Sequence, residues 1–450
     1  MAAGTMTLLA ASADDIDTSD QLTMASAFQK AFIANGTKLK IADFINTKLT
    51  VTGMTTAPTR GSVVKQLTSN AEMIVDFVNG ALTMIYGYTT TGTFTTTGGQ
   101  TLSGGGMTGS LVPTAVTANP HWYDWTQYGI TKALSTSIPA KAYLVSVYRG
   151  RLVLAGNPRY PNQWYMSKVA DPFNWLYGAD DPMSAVAGNN SDAGQCPDIP
   201  RALISFHDDY LIFGCASTIW ILRGDPVAGG SLDNLSDTTG IFGSNSWCFD
   251  DNRNLYFWGS GGIYKIRSDF SGIQNLTEMV LPDIINDEDA DPTTHRITMG
   301  YDKKRHGIVV SITVLATGVN SNYFYSFKTE GFYPESYPEE CGPYSLFYYD
   351  ANDPAYADLL VGCKDGYIRK YLNTAKNDDI GVVDETISSY VTYPITPLSD
   401  TDEKGKLTEL VLDLAGGAAA GDFSDTNGVT YELFRGDDAE TVLEDIRDGA

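Results

Sequence analysis

The stretch LYFWGSGGIYKI, residues 255–266, decides the fold class. Two runs of large apolar residues flank a short segment that contains Gly259, Gly261 and Gly262. Aromatic and β-branched residues favour strands, and glycine tolerates the positive φ angles of a tight turn. The pattern therefore predicts two antiparallel strands joined by a hairpin.

The same module of strand, turn and strand recurs along the chain. It is found in FIANGTKLKI (32–41), RLVLAGNP followed by QWYMS (151–167), YLIFGCASTIWIL (210–222), GIVVSIT followed by NYFYSF (307–327) and LLVGCKDGYIRKY (359–371). The last five copies begin at residues 152, 211, 255, 308 and 359, which gives spacings of 59, 44, 53 and 51 residues. Hairpins repeated at intervals of about 40–50 residues are typical of propeller blades with about four strands each.

We therefore predict an all-β fold, namely a β-propeller of irregular blades with a small inserted β-domain and a C-terminal β region. The sequence has no WD dipeptide signature, no kelch pattern and no S-x-D-x-G-x-x-W box. A stack of unrelated β-sandwiches is the alternative. Helix is expected to be scarce, and MASAFQKAF (24–32) is one short candidate.

Changes in composition divide the chain into four segments. These are a first propeller segment (1–54), an inserted Thr/Gly-rich small β-domain (55–118), the main propeller blades (119–385) and a C-terminal β region (386–450). Between residues 89 and 110 nearly every residue is small and polar, which is also the composition of a flexible linker. Phe94, Leu102 and Met107 interrupt this run as inward-facing residues of short strands would, so we favour the β-domain.

The C-terminal segment is expected to contain one strand pair. Its strands are KLTELVLDL (406–414) and VTYELF (429–434), and a small-residue loop separates them. The tail AETVLEDIRDGA (439–450) is compatible with a short amphipathic helix or with a strand.

The charge balance limits the possible partners. The chain carries 54 acidic and 30 basic residues, for a net charge of −24. Such a surface does not bind nucleic acid non-specifically and repels anionic membranes. Residues 1–13 lack the features of a signal peptide, and no run approaches the ~18 apolar residues that span a bilayer. We expect a protein that is made in a cytoplasm and that stays soluble or joins an assembly there.

The cysteines predict neither a disulfide framework nor a metal site. Their number, five, is odd, and no C-x-x-C spacing occurs among Cys196, Cys215, Cys248, Cys341 and Cys363. We expect most of them to be reduced and buried as small hydrophobic residues.

The sequence contains no recognisable catalytic motif. No serine-nucleophile or phosphate-binding motif occurs at a suitable position, and no histidine is spaced for zinc from another histidine or from a cysteine. The four histidines are His121, His207, His295 and His306. We expect His207, in the run FHDDYLIFG, to lie in a loop that leads into a blade strand.

Acidic and aromatic groups are the remaining candidates. Propeller glycosidases use acids near the central channel, and the acids Asp208, Asp209, Asp250 and Asp251 are predicted at strand ends. Asp287, Asp289 and Asp291 alternate as calcium ligands do, but the glycine and glutamate of an EF-hand loop are missing. The aromatic runs HWYDW (121–125), FNWLY (173–177) and FYPESYPEE (332–340) could form a sugar platform, although most aromatic rings are expected to pack blades together. We therefore assign no catalytic, cofactor-binding or metal-binding residue.

The residues of one longer stretch are expected to have structural roles. In RGRLVLAGNPRYPNQWYMSKVADPFNW (149–175), Arg149 and Arg151 flank the start of a strand. Pro158 and Pro161 are expected to stiffen the loop between two strands by fixing φ. The turn at Asp171 and Pro172 is expected to fold Phe173 and Trp175 back onto the blade.

This stretch and the two modules after it resemble β-propeller virion proteins of tailed bacteriophages, such as the tail nozzle, hub or stabilisation proteins of short-tailed phages. The similarity continues through IPRALISFHDDYLIFGCASTIWILRG (199–224) and GIFGSNSWCFDDNRNLYFWGSGGIYKI (240–266), and covers residues 145–330. It is a similarity of pattern that includes no catalytic motif.

The resemblance implies a structural virion protein without enzymatic activity or cofactor. Nozzle proteins of this type form rings, usually sixfold, below a portal adaptor, and they line the path by which DNA leaves. The resemblance thus implies a homo-oligomer, neighbours among portal-adaptor and other tail proteins, and contact with tail fibres as a further option. Genomic DNA would pass without specific binding, since an acidic lining repels it.

Two alternatives stay open at the level of sequence. The chain could be a carbohydrate-binding or glycoside-hydrolase propeller of a phage spike, in which acids would converge about 5–10 Å apart beside aromatic rings. It could also be a minor capsid or decoration protein with the same fold.

Overall fold

The computed structural model describes residues 21–97, 100–109, 111–129, 138–177, 181–372 and 431–449, together with Leu9, Ile16 and short stretches between residues 377 and 409. The first blade starts with β1 (Thr23–Ala27), β2 (Lys30–Ala34) and β3 (Leu39–Asp43), which pair antiparallel in this order. Phe28 and Gln29 turn the chain between β1 and β2 with φ angles of 49° and 59°.

The short helix expected over residues 24–32 is therefore wrong, because this segment is a hairpin. Alanine and methionine favour helix by only a few tenths of a kcal/mol each. The ladder between β2 and β3 and the complete burial of Phe32 outweigh that preference.

A set of strands is inserted between β3 and the last strand of the first blade. They are β4 (Thr47–Val51), β5 (Met54–Thr56), β6 (Val63–Gln66), β7 (Glu72–Val78), β8 (Met84–Thr91), β9 (Leu102–Gly104), β10 (Thr108–Gly109) and β11 (Pro113–Thr117). Six of them form the insert sheet, in the order β11-β4-β8-β7-β6-β9, and β5 pairs with β10. The strand β12 (His121–Asp124) then pairs with β3 and completes the first blade.

The insert has a hydrophobic core of its own, which includes Val64, Val75 and Ile85. Phe94, Leu102 and Met107 are buried in this core, so their predicted inward orientation is confirmed. The insert sheet already includes β4, which the division by composition assigned to the preceding segment.

Five further blades follow along the described chain. The second contains β13 (Leu144–Tyr148), β14 (Arg151–Asn157), β15 (Tyr160–Met166) and β16 (Val186–Ala187); the third contains β17 (Pro200–Phe206), β18 (Tyr210–Cys215), β19 (Ile219–Arg223) and β20 (Ser231–Ser236). The fourth contains β21 (Trp247–Phe249), β22 (Leu255–Gly259), β23 (Gly262–Ile266) and β24 (Ile273–Asn275). The fifth contains β25 (His295–Asp302), β26 (Gly307–Val314), β27 (Asn320–Ser326) and β28 (Gly331–Glu335), and the sixth contains β29 (Pro343–Tyr349), β30 (Asp358–Cys363) and β31 (Ile368–Lys370).

All the predicted hairpins are present, so the all-β propeller fold is confirmed. In blades two to six they form the second and third strands. The second strands of blades two to five have long apolar runs because these strands are covered on both faces. Every residue of β14 is buried, for example. The first strand precedes the hairpin and the fourth, more exposed strand follows it, as in β20.

Hydrophobic clusters join each blade to the next along the chain. Trp175 packs with first-blade residues, Phe213 with second-blade residues and Phe257 with third-blade residues. Ile297 of the fifth blade packs with fourth-blade residues, and Leu359 of the sixth blade packs with fifth-blade residues. Because each junction is a shared core, the blades are mutually supporting.

The remaining elements are short. They are 3₁₀ turns at Gly188–Asn190 and Glu339–Cys341, helix α1 (Ile284–Glu288), strands β32 (Asn377–Asp378) and β33 (Glu385–Thr386), and helix α2 (Ala439–Gly449). Neither α-helix in this described part of the chain has the length and apolar character that crossing a membrane requires.

Residues 386–450 form a separate compact unit. Its tail is helix α2, which confirms the helical alternative for that segment. The strand expected over 429–434 is wrong for residues 431–434, which form no strand. Residues 407–409 likewise form no strand, and the rest of the expected strand 406–414 lies outside the described residues.

Candidate functional site

The hairpins between the first and second strands of blades two to six form one surface, which we call the hairpin face (residues 149–150, 207–209, 250–254, 303–306 and 350–357). Four of them contain a non-glycine residue with positive φ: Arg149 at 49°, His207 at 52°, Arg253 at 62° and His306 at 54°. Such residues are uncommon. Their recurrence at equivalent places shows that His207 and His306 are turn residues, as expected for His207.

Polar contacts connect the hairpin face from the second blade to the third. The Arg149 Nε donates a hydrogen bond to the main-chain oxygen of Asp208 at 2.9 Å. The hydroxyl of Tyr148 donates to the main-chain oxygens of Gly224 at 2.8 Å and Asp209 at 3.1 Å. Burial raises the pKa of Tyr148 to about 12, so the hydroxyl keeps its proton at neutral pH.

The same surface continues to the sixth blade. The rings of Phe206 and Phe249 meet edge to face, with centroids 5.6 Å apart, between blades three and four. Tyr301 in the fifth blade donates to Asp251 in the fourth at 3.0 Å. Lys303 and Asp350 form an ion pair at 3.2 Å between blades five and six. The hairpin face therefore holds successive blades together.

The acids proposed as glycosidase candidates belong to this network. Asp250 accepts bonds from the main chain of Asn254 at 2.8 Å and from its side-chain amide at 2.7 Å, and so closes its own turn. Burial and the hydrogen bond to Asp251 raise the pKa of Tyr301, which keeps it a donor. Asp208 contributes its main-chain oxygen. These contacts are structural, and they place the acids at strand ends, as the sequence predicted.

The histidines and the alternating aspartates do not converge on a metal. Within the described residues no group of three or more His, Cys, Asp or Glu side chains could hold an ion. His121 is buried against the main-chain oxygen of Asn46 at 3.0 Å, and burial lowers its pKa. Asp289 caps the end of α1, whereas Asp291 accepts bonds from Thr293. This loop therefore stabilises itself through its own turns.

The first two aromatic runs contribute to the hydrophobic core and do not form a sugar-binding platform. Trp125, Phe173 and Trp175 are buried in the cluster between the first and second blades, as the predicted fold-back of residues 173–175 requires. Phe173 stacks on Phe77 of the insert with centroids 4.6 Å apart. In the third run Tyr333 is exposed.

A cavity of about 220 Å³ lies between the third and fourth blades, beside α1. Its wall includes Arg201, Phe242 and Trp258. Among the described residues that line it, none is an aspartate or a glutamate. The cavity thus lacks the carboxylate pair that glycoside hydrolysis requires.

A partly buried ionic cluster joins the insert to the first two blades, and no pattern in the sequence pointed to it. We call it the insert clamp, formed by Lys30, Asp43, Arg60, Asp76 and Asp171. The Lys30 ammonium lies 2.5 Å from Asp76 and 4.0 Å from Asp43. The Arg60 guanidinium bonds Asp76 at 2.8 Å and Asp171 at 3.2 Å.

The two cations of the clamp keep Asp76 ionised. Burial alone would raise the pKa of this carboxyl, but the charges and hydrogen bonds of Lys30 and Arg60 outweigh burial and hold the pKa below its usual value. The Asn46 amide bonds both Asp43, at 2.7 Å, and Asp76, at 3.0 Å. Removing Asp76 would therefore leave Lys30 and Arg60 only their contacts with Asp43 and Asp171 in a largely buried site.

Two exposed apolar patches lie on different sheets. The sixth-blade patch consists of Phe347, Tyr349 and Ile368, which lie on one face of the sixth blade and are 65%, 43% and 60% exposed. The opposite face of that blade packs on the fifth blade through Leu346, Tyr348 and Leu359.

The insert patch is a ladder of three neighbouring residues across the outer face of the insert sheet. Val63 pairs with Ile74, and Ile74 pairs with Tyr88. Their exposed fractions are 49%, 41% and 56%. The continuous apolar runs in β7 and β29 could have revealed both patches, since such a run places apolar residues on both faces of a strand.

Comparison with known proteins gives no family. No protein-family model matches the sequence, and no curated protein is significantly similar to it. Among solved structures, the extracellular domain of BT4673 from B. thetaiotaomicron aligns with 75% of the chain at 11% identity and a TM-score of 0.36. The chain spans only 40% of that domain.

Two further structures align at similar levels. A protein from Lactobacillus plantarum matches 78% of this chain and 83% of its own at 11% identity, with a TM-score of 0.32. The phage phi92 endosialidase matches 90% of this chain and 70% of its own at 10% identity, with a TM-score of 0.26. Scores this low carry no argument about function.

Proposed function

We propose that this chain is a non-enzymatic structural protein of a bacteriophage virion, copies of which form a ring in the tail or connector around the path of DNA exit. The observation that carries the proposal is the pair of exposed apolar patches on two different sheets. Monomeric proteins rarely leave extended apolar surface uncovered, and such patches mark contact sites.

Two different patches suit a ring better than a symmetric dimer. A cyclic assembly of more than two copies uses heterologous contacts, in which one surface of each copy meets a different surface of the next. In the proposed ring the sixth-blade patch of one copy packs against the insert patch of its neighbour. Each patch then covers the other, and every copy makes both contacts.

The rest of the molecule supports a rigid structural role. The candidate acids close turns or join blades, and the hairpin face connects blades two to six. The net charge of −24 also suits a protein near moving DNA, because like charges repel and prevent adhesion.

A mixing experiment tests the ring contact. Phe347→Ser with Ile368→Thr disables the sixth-blade patch, and Ile74→Thr with Tyr88→Ser disables the insert patch. We expect wild-type protein to form a closed oligomer by native mass spectrometry and each double variant to be monomeric. An equal mixture of the two variants should form a dimer and nothing larger, since only one intact junction can form.

The control is Met279→Ser, which removes an apolar side chain that is 90% exposed but lies in neither patch, and which should leave the oligomer unchanged. Wild-type protein that is monomeric at high concentration, or variants that still assemble, would refute the ring contact.

The virion role needs a separate test, in which electron microscopy locates this chain in purified particles of the phage that encodes it. Absence of the chain from those particles would end the proposal.

A further inference from the structure

Two thiols meet in the core between the second and third blades. The Sγ atoms of Cys196 and Cys215 lie 3.2 Å apart, and the two residues are 1% and 0% exposed. Cys215 ends β18, whereas Cys196 lies in the segment that leads into β17. All five cysteines of the chain are buried and carry free thiols, as the sequence predicted.

The main chain holds both residues in place. The amide of Cys196 donates to the Asn162 oxygen in β15 at 3.1 Å, and the Asn162 side chain returns a bond to the Cys196 oxygen at 3.2 Å. The amide of Cys215 donates to the Thr218 oxygen at 2.9 Å. The two sulfurs are thus kept in contact by three segments of backbone.

We infer that Cys196 and Cys215 are a latent disulfide pair, which a peroxide oxidant converts into a covalent bridge within the third blade. A disulfide needs a sulfur–sulfur distance of about 2.05 Å, so the sulfurs must approach by roughly 1 Å. Side-chain rotation and a small shift of the segment before β17 supply such a movement. The inference stands independently of the proposed virion role.

The chemistry assigns different parts to the two sulfurs. Either sulfur can donate the hydrogen bond between the two thiols; when Cys215 donates, the bond lowers the pKa of Cys196 despite burial, while the bond and burial raise the pKa of Cys215. Cys196 is therefore the better nucleophile. Its thiolate attacks hydrogen peroxide, the O–O bond breaks, and sulfenic acid and hydroxide form.

The second step closes the bridge. The Cys215 sulfur attacks Cys196 Sγ, the S–O bond of the sulfenic acid breaks, and the hydroxyl leaves as water with the proton of the Cys215 thiol. In total, two thiols and one peroxide give one disulfide and two waters. The product ties the segment before β17 to the end of β18 and so reinforces the junction with the second blade.

Peptide mapping of the full chain tests the inference. Reduced protein is treated with graded hydrogen peroxide, the remaining thiols are alkylated, and the digest is analysed by mass spectrometry. We expect one linked peptide that joins Cys196 to Cys215, a chain mass lower by two hydrogens, and a higher melting temperature. Dithiothreitol should reverse all three changes.

Variants separate the two steps. Cys215→Ser should leave Cys196 as a sulfenic acid that dimedone traps, whereas Cys248→Ser should still form the bridge. If both thiols of the wild-type chain stay unlinked up to peroxide levels that oxidise methionine, the inference is wrong. A linked peptide that contains Cys248, Cys341 or Cys363 in place of this pair would overturn it as well.

Discussion

The Lys30 ammonium in the first blade lies 2.5 Å from the Asp76 carboxylate in the insert sheet. The side chain of Lys30 is 3% exposed and that of Asp76 is 19% exposed, so this contact is largely removed from water. Because Arg60 bonds the same carboxylate and also reaches Asp171 in the second blade, Asp76 connects three parts of the fold. Asp76 therefore links the insert to both the first and the second blade, in addition to the apolar contact between Phe77 and Phe173.

Replacing that carboxylate should destabilise the protein strongly. In Asp76→Asn, Lys30 keeps only its 4.0 Å contact with Asp43 and Arg60 keeps only Asp171, and removing one partner of a buried pair costs about 3–5 kcal/mol. Since Asp76 is not fully buried, we expect about 3 kcal/mol, measured as a lower midpoint of urea unfolding. The control is Glu72→Gln in the same strand, whose partner Lys65 is 42% exposed, and which should cost below about 1 kcal/mol. Equal effects of the two variants would contradict the clamp.

The clamp also predicts a direction of pH dependence. The pKa of Asp76 is lower in the folded chain than its ordinary value, so the folded state favours the ionised form. Its contribution is fully present above the ordinary carboxyl pKa of about 3.9 and is lost as pH falls through the folded pKa. The difference in unfolding free energy between wild type and Asp76→Asn should thus be constant from about pH 7 to pH 5 and shrink below about pH 4. A difference that grows on acidification would show that Asp76 is not held as a carboxylate.

Arg151 should be far more important to stability than Arg149, two residues before it. Its side chain is fully buried and donates to the main-chain oxygens of Ser167 at 3.1 Å and Pro182 at 3.0 Å, with an ion pair to Asp225 at 3.3 Å. Arg151→Ala leaves these acceptors unsatisfied, each at about 1–3 kcal/mol, so we expect a loss above about 3 kcal/mol or insoluble protein. Arg149→Ala, which removes one exposed hydrogen bond, should cost about 1 kcal/mol and remain soluble. Thermal unfolding of the two variants tests this prediction. An Arg151→Ala variant that is as stable as Arg149→Ala would contradict it.

The hairpins were predictable from sequence because their turn residues act locally. The turns at Ser260–Gly261 and Asp365–Gly366 need only the residues inside them, and both lie in the predicted hairpins. The first strands of the blades were not predicted, since a strand such as β21 has three residues and owes its pairing to a neighbour. The helix expected over residues 24–32 failed for the related reason that distant strand pairing outweighed local preference.

In the candidate site, too, the sequence predicted what depends on local residues and missed what depends on distant ones. Asp208 and Asp250 were placed correctly at strand ends, because strand ends follow from the hairpins. Their structural partners could not be predicted, since they lie on other segments of the chain. The insert clamp was missed because Lys30 and Asp76 are charged, and charged residues are expected at the surface unless a distant partner is known.

A matched pair of glycines separates backbone strain from lack of space. Gly318 and Gly366 have φ angles of 90° and 86°, and they lie in corresponding hairpins of the fifth and sixth blades. A side chain at Gly318 would overlap the main-chain oxygen of Glu339, whereas one at Gly366 would meet nothing within 4 Å. Both alanine variants therefore incur the strain of positive φ, about 1 kcal/mol, but only Gly318→Ala must also displace the segment that links these two blades.

We expect Gly318→Ala to lower stability by about 3 kcal/mol and Gly366→Ala by about 1 kcal/mol, the difference being the cost of overpacking. Because the displaced segment leads into the sixth blade, Gly318→Ala should also speed amide hydrogen exchange in β29, while Gly366→Ala should not. Equal losses in the two variants would mean that the Glu339 segment moves freely and that the fifth and sixth blades are joined only by their shared apolar core.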